Sequence, residues 1–284
     1  MGCAVSDDAM TTNLLDDLRA RNEMTLAEAA SNVCQGAAAW PIWSVIGWND
    51  VRQKYRRSVL GPFWITLSMA IFISGLGIVY SRIFNAEIDV FLPYLGAGLI
   101  AWTFIASSML ESCNALQEAE AVIKQIRIPI SAFVFRVIWR NFIVFMHTIV
   151  LIVPIWLVFG IRPDWTTSMI VPGLLLLCAN LLWIGHVLSI ACARFRDITV
   201  IVATILQLAI FITPIMFPVS ALGPLEWVAQ ANPLYHMVAL IRAPLIGDTV
   251  SPLTWMVAVG MFPIGMVMVL LLLRHTSHRI VYWL

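Results

Sequence analysis

Charge is what this 284-residue chain has least of: Asp, Glu, Lys and Arg make up 12% of it, against about a quarter in soluble domains. No charged residue falls in six long windows, 58–81, 90–110, 141–161, 165–193, 198–225 and 249–273. Carriers driven by protons or sodium ions usually place ionisable groups at that depth, so their absence disfavours an ion-coupled carrier. There is no Gly-Lys dipeptide, which excludes a Walker-type phosphate loop and ATP hydrolysis by that route. The five cysteines, Cys3, Cys34, Cys113, Cys178 and Cys192, have no CxxC or other ligand spacing; they read as small apolar fillers, and no metal site is expected. No basic region precedes an apolar one at the N-terminus, so the first true span is expected to act as the targeting signal. Residues 2–6 match a myristoylation pattern, but a lipid would add little to a chain already held by several spans. Internal repeats, low-complexity tracts and long linkers are absent, and a net charge of +1 says nothing of nucleic acid.

Apolar residues are what the chain has instead: 61% of it, with a mean hydropathy of +0.89. Crossing a hydrocarbon core takes about 20 apolar residues, and each of the six windows satisfies that. The expected architecture is an all-α integral membrane protein with six transmembrane helices near 60–81, 90–110, 138–161, 167–192, 198–218 and 252–273. A seventh charge-free window, 29–49, has a short apolar part and reads as interfacial. Positive residues are retained in the cytoplasm. With both termini inside, Arg52, Lys54, Arg56, Arg57, Lys124, Arg127, Arg136, Arg140, Arg194, Arg196, Arg274 and Arg279 flank the inner face, and only Arg82, Arg162 and Arg242 lie outside. A bacterial inner membrane is the expected location.

Residues 1–39 read as an acidic cytoplasmic tail, helix-compatible around 14–30, and residues 40–284 as the membrane domain. The segment 40–58 is expected to be an amphipathic interfacial helix. Val45, Trp48, Val51, Tyr55 and Val59 share one face, with Asn49, Asp50, Gln53, Lys54 and Arg57 off it. Between the second and third spans, Glu111, Glu118, Glu120, Lys124 and Arg127 interleave with Leu116, Val122, Ile123 and Ile126. This short amphipathic helix is either a connector or a docking element. Arg136 and Arg140 share a face four residues apart, where snorkelling to lipid phosphates is the plain reading.

Beyond the fifth span, 221–231 and 233–246 are two apolar pieces too short to cross, the second opened by Asn232-Pro233 as N-cap and first-turn proline. They read as an outer re-entrant pair lining an exit. His147 and His186 read as interhelical hydrogen-bonding groups rather than a relay, and Gln207 as a polar contact. Most of the twelve tryptophans suit an aromatic belt. Trp102, Trp156 and Trp183 lie deeper; with Tyr94 and Phe104 they either line a glycan path or pack. Six spans are few for a bulky path, and a symmetric dimer would enclose one.

The run Asn49-Asp50-Val51-Arg52-Gln53-Lys54-Tyr55-Arg56-Arg57-Ser58-Val59-Leu60-Gly61-Pro62-Phe63-Trp64 resembles the opening motif of the ABC-2 polysaccharide permeases, which export O-antigen, capsule and teichoic-acid chains. Similar family segments follow in order: 122–129, Arg194-Phe195-Arg196-Asp197, Thr213-Pro214-Ile215-Met216-Phe217-Pro218, and Asn232-Pro233 with Arg242. The resemblance covers about residues 45–284. It implies a homodimer with two copies of a cytoplasmic ABC ATPase subunit, on which ATP and magnesium are bound, this chain carrying no cofactor of its own. It implies an undecaprenyl-diphosphate-linked glycan as substrate, with Tyr55, Arg56, Arg57 and Trp64 at the inner gate. Guanidinium groups suit a diphosphate, and anchoring on anionic lipid suits them equally. By the same resemblance, 118–128 is the coupling helix, with Glu118, Glu120, Lys124, Gln125 and Arg127 meeting the ATPase, and Asn232, Pro233 and Arg242 belong to the outer re-entrant pair. One departure is Ala239, where family members often have a Glu that would pair with Arg242. The other readings are an ABC-2 exporter of a drug or lipid, or a polyprenol-dependent glycosyltransferase. The enzyme is disfavoured by the absence of acidic motifs in the loops.

Overall fold

A computed structural model describes residues 24–54, 56, 61, 63–126 and 128–284. Among them there are helices and no strand. In chain order these are α1 (Leu26–Ala38), α2 (Trp40–Lys54), α3 (Phe63–Ile83), α4 (Ile88–Asn114), α5 (Glu120–Gln125), α6 (Ser131–Ile149), α7 (Ile152–Phe159), α8 (Ile170–Arg194), α9 (Ile198–Ile212), α10 (Glu226–Ala231), α11 (Pro233–Leu245) and α12 (Pro252–Trp283). Short 3₁₀ turns at Trp165–Met169 and Val219–Leu225 lead into α8 and α10. Five stretches are long and apolar enough to cross a membrane: α3, α4, α6 running on into α7, α8 with its preceding turn, and α12.

The fifth expected span, 198–218, differs from its outline. It begins at Ile198 but holds helical form for only 15 residues, about 22 Å at 1.5 Å per residue, short of a hydrocarbon core about 30 Å thick. The cause is local. The residue before a proline is pushed out of the helical region, and Thr213, preceding Pro214, is extended at φ −80° and ψ 131°.

At the centre stands α4, with 67% of its apolar window buried. Its small residues Gly96, Ala97, Gly98 and Ala101 let neighbours approach closely. Around it lie α3, α6, α8, α9 and α11. The helix α11 is buried on nearly every side from His236 to Leu245, between α4, α8 and α12. Only 11% of the window in α3 is buried, and α9 exposes Val200, Ile201, Ile205, Leu208, Phe211 and Ile212. Closest of all is the contact of α12 with α8. A methyl group on Gly265 would meet Trp183 at 2.0 Å, so the indole lies flat on bare backbone.

A second apolar cluster occupies the basic end of the bundle. Leu116, Ala119, Phe133, Ile190, Leu273 and Ile280 are buried there with Ala29. Residues 26–38, which the sequence assigned to the tail, therefore form a docked helix. Its start is closed by a capping box between Thr25 and Glu28. Its side chain Asn32 accepts a hydrogen bond from Ser131 Oγ at 2.9 Å, and Gly36 lies where a Cβ would meet Ser131 at 2.6 Å. The last helix also runs ten residues past the expected end of its span, to Trp283, because this docking gives its end something to cover.

Candidate functional site

The segment expected to be interfacial forms a helix, α2, over Trp40–Lys54, but the face that meets the protein is not the expected stripe. Val51 and Gly47 are buried, whereas Val45 and Trp48 are exposed. The docked edge is formed by Trp43, Gly47, Asp50 and Val51. Trp43 stacks on Phe135 at 5.8 Å and meets Trp139 edge-on at 6.0 Å, and a Cβ on Gly47 would lie 2.9 Å from the Trp139 ring. Small residues on one helix thus admit large rings from the other. The outward edge keeps Trp40, Val45 and Trp48 exposed, as a helix lying on lipid requires.

Asp50, off the apolar stripe in sequence, faces inward to an ion cluster. Arg136 donates to it from Nε at 2.7 Å and from a terminal nitrogen at 2.8 Å, the forked geometry that suits guanidinium and carboxylate. Arg140 reaches three carboxylates: Glu111 at 2.9 Å, Asp50 at 3.5 Å and Glu118 at 3.7 Å. Asn141 donates to Glu111 at 2.6 Å. The arginines are about four-fifths covered, at 20% and 17% exposure, so they pair inside the protein rather than snorkel to lipid. Sequence reasoning noted the shared face of Arg136 and Arg140 and the position of Glu111 at a span end. Neither signal identifies the partner, because Asp50 lies 86 and 90 positions away.

The segment expected to meet the ATPase leaves α4 through turns at 115–119 and forms α5, six residues long. Lys124 and Glu120 pair at 2.6 Å, both nearly half exposed, and the lysine holds the Glu120 carboxyl below its ordinary range. Ile123 faces the cluster beneath. Val122 and Ile126, four apart, are exposed together with Gln125. Of the expected gate residues, Arg56 and Trp64 are exposed; Tyr55 and Arg57, like Arg127, lie outside the described residues.

The opposite end is organised around the break after α9. Asn232 caps α11 by accepting from the Leu234 amide at 3.0 Å and donates to Thr213 Oγ1 at 2.9 Å. The Arg242 guanidinium donates to the Pro214 carbonyl and lies 4.1 Å from the Tyr94 ring centre. Tyr94 donates to the carbonyls of Pro214 and Phe217 at 3.1 and 3.3 Å. Carbonyls left free by a broken helix must be satisfied, and these side chains satisfy them. Arg242 is 4% exposed and is held by a carbonyl and by rings, in keeping with alanine at position 239.

Of the aromatics that either line a glycan path or pack, Tyr94 clamps the break, and Trp102 and Phe104 are buried, with Phe104 stacked on Phe145 at 4.9 Å. His147 and His186 bond through Nδ1 to Ile143 and Leu182 of their own helix, at 2.8 and 2.7 Å, rather than between helices. A helical side chain finds the carbonyl four residues back before it finds a neighbour. Gln207 is exposed on α9. Among the described residues no group of His, Cys, Asp and Glu is arranged to hold a metal ion.

Comparison with known proteins agrees with this layout. The O-antigen export system permease protein RfbA of Klebsiella pneumoniae is 24% identical over 212 residues, covering 73% of this chain and 81% of that protein. The protein of the same name from Myxococcus xanthus is 22% identical over 173 residues, covering 61% of this chain and 66% of its own length. The model of the ABC-2 type transporter family matches residues 42–246, a stretch that opens within α2, contains α5 and the ion cluster, and closes just after α11. The chain belongs to the ABC-2 type transporter family.

Proposed function

We propose that this chain is the membrane-spanning permease subunit of an ATP-driven exporter of polyprenyl-diphosphate-linked polysaccharide of the O-antigen type. The supporting observation is the alignment with O-antigen export permeases across 73% of the chain. In this reading the protein resides in the bacterial inner membrane with the basic end, and both termini, in the cytoplasm. The six-span topology is completed by α9 together with the extended residues after it, and α10 and α11 are the re-entrant pair at the outer face. Two copies associate and each docks a cytoplasmic ATPase subunit that binds ATP and magnesium.

Three features support the parts of this reading. Val122 and Ile126 on α5 offer the ATPase an apolar contact beside charged side chains. The helices α3 and α9 both pack on α4 and leave broad faces free, and Thr204 and Gln207 on α9 are polar groups within one of them. Polar groups at such depth belong against protein or a water-filled path, so this face suits a second protomer and a conduit between the two. Arg52, Lys54 and Arg56 at the end of α2 place cations at headgroup level, where Arg57 and Tyr55 follow in sequence; guanidinium groups there suit a lipid diphosphate.

The test is biochemical. Purification in mild detergent is expected to recover an ATPase with a Walker motif in equal amount, and an active single polypeptide would refute the subunit assignment. Depletion should accumulate lipid-linked polymer on the cytoplasmic side; no accumulation would leave an exporter of a drug or lipid, the alternative within the family. Replacing Arg56 and Arg57 with Ala should cut export while the complex remains assembled, and unchanged export would assign them to anchoring.

A further inference from the structure

The contact between the coupling segment and the interfacial helix is ionic. Below α5, the apolar cluster draws on α1, α6, α8 and α12 and includes no residue of α2. What joins the two is Arg140, which faces Glu118 in the turns before α5, Glu111 at the end of α4 and Asp50 on α2. We propose that Asp50, Arg140 and Glu118 are positioning residues that transmit displacement of the coupling segment to the interfacial helix. The inference rests on the reading of α5 as the ATPase contact.

The geometry gives the link a fixed end and a loose end. At the fixed end Asp50 is forked to Arg136 at 2.7 and 2.8 Å, and Trp43 and Gly47 hold the same edge of α2 against α6. At the loose end Glu118 is 46% exposed and lies 3.7 Å from Arg140, a distance at which small movement makes or breaks the pair. Three carboxylates share two guanidinium groups, so Arg140 cannot neutralise all of its partners at once. Drawing Glu118 away leaves Arg140 to Asp50 and Glu111; pressing it inward makes it compete with them. Either displacement changes the force on Asp50 through a side chain that is mostly shielded from water, where charge interactions weaken less than at the surface.

The test uses the complex with its ATPase subunit in proteoliposomes. A spin-label pair at Trp48→Cys and Val122→Cys, both exposed positions, reads the α2–α5 distance with and without ATP. In the parent α2 follows the coupling segment, so the distance should change less on adding ATP than it does with Glu118→Gln or, separately, with Asp50→Asn. Export per ATP hydrolysed should fall at least about fivefold in each variant, the low end of ordinary coupling between sites. The double variant should be no worse than either single one, since all act on one link. Hydrolysis and export falling in parallel, or a distance that changes no more in the variants than in the parent, would overturn the proposal. The label measurement needs no glycan, so a parent complex that hydrolyses ATP and moves its helices without exporting glycan would count against the substrate reading alone.

Discussion

Single side chains decide more here than the apolar bulk of the chain implies. Tyr94 holds two carbonyls at the break after α9 with one hydroxyl. Tyr94→Phe should lower stability by about 1 kcal/mol, the net worth of a hydrogen bond, and more if the carbonyls stay dry; unfolding in detergent measures it. Gly265→Ala forces a methyl against the face of Trp183, and overpacking of this kind costs about 1–3 kcal/mol. Combining it with Trp183→Leu should recover much of that loss, because the ring is what the methyl strikes. Asp50→Ala leaves Arg136 without its fork and about four-fifths covered. Its cost should lie between that of an exposed and that of a buried pair, about 1–3 kcal/mol, and Asp50→Asn should lose less because the amide oxygen still accepts.

Among the elements, α1 has a start that can be titrated. Hydrogen bonds from Thr25 hold the Glu28 carboxyl below its ordinary value of 4.5. A lowered carboxylate pKa contributes stability that is present above the ordinary value and is lost as pH falls through the lowered one. Amides at the start of α1 should therefore exchange faster as pH drops across that window, after correction for intrinsic rates, and Glu28→Gln should flatten the dependence. The long apolar elements were legible in sequence because charge-free length alone announces them. The stop of α9 was legible only in part: Pro214 was visible, but the window ran on charge-free to Leu225, and hydropathy does not distinguish helix from broken backbone. The docking of α1 was hidden because the face it presents is made of Ala29, Asn32, Val33 and Gly36, at helical spacing but mostly small or polar and so weak as an apolar signal. The ion cluster was hidden for a different reason. Each of its residues is ordinary alone, and the pairing exists only after four segments have come together.

At the scale of the whole molecule, the unevenness of burial is the main fact: α4 is enclosed while α3 and α9 are nearly bare. If the bare face of α9 meets a second copy, cysteine placed at Gln207 in a background without exposed Cys34 should cross-link two protomers in membranes, whereas cysteine at Val158, which lies beside α3 instead, should not. Equal cross-linking at both would remove the argument for this face. The arginine cluster has a consequence in time as well as in space. In the proposed topology Arg136 and Arg140, without their partners during synthesis, would help to retain their end of α6 inside. Once the helices close they face Asp50, Glu111 and Glu118, and that early role ends. A chain halted before residue 136 carries the three acids with neither arginine to face them. In that topology the same two arginines would first help to orient the chain and later tie its segments together.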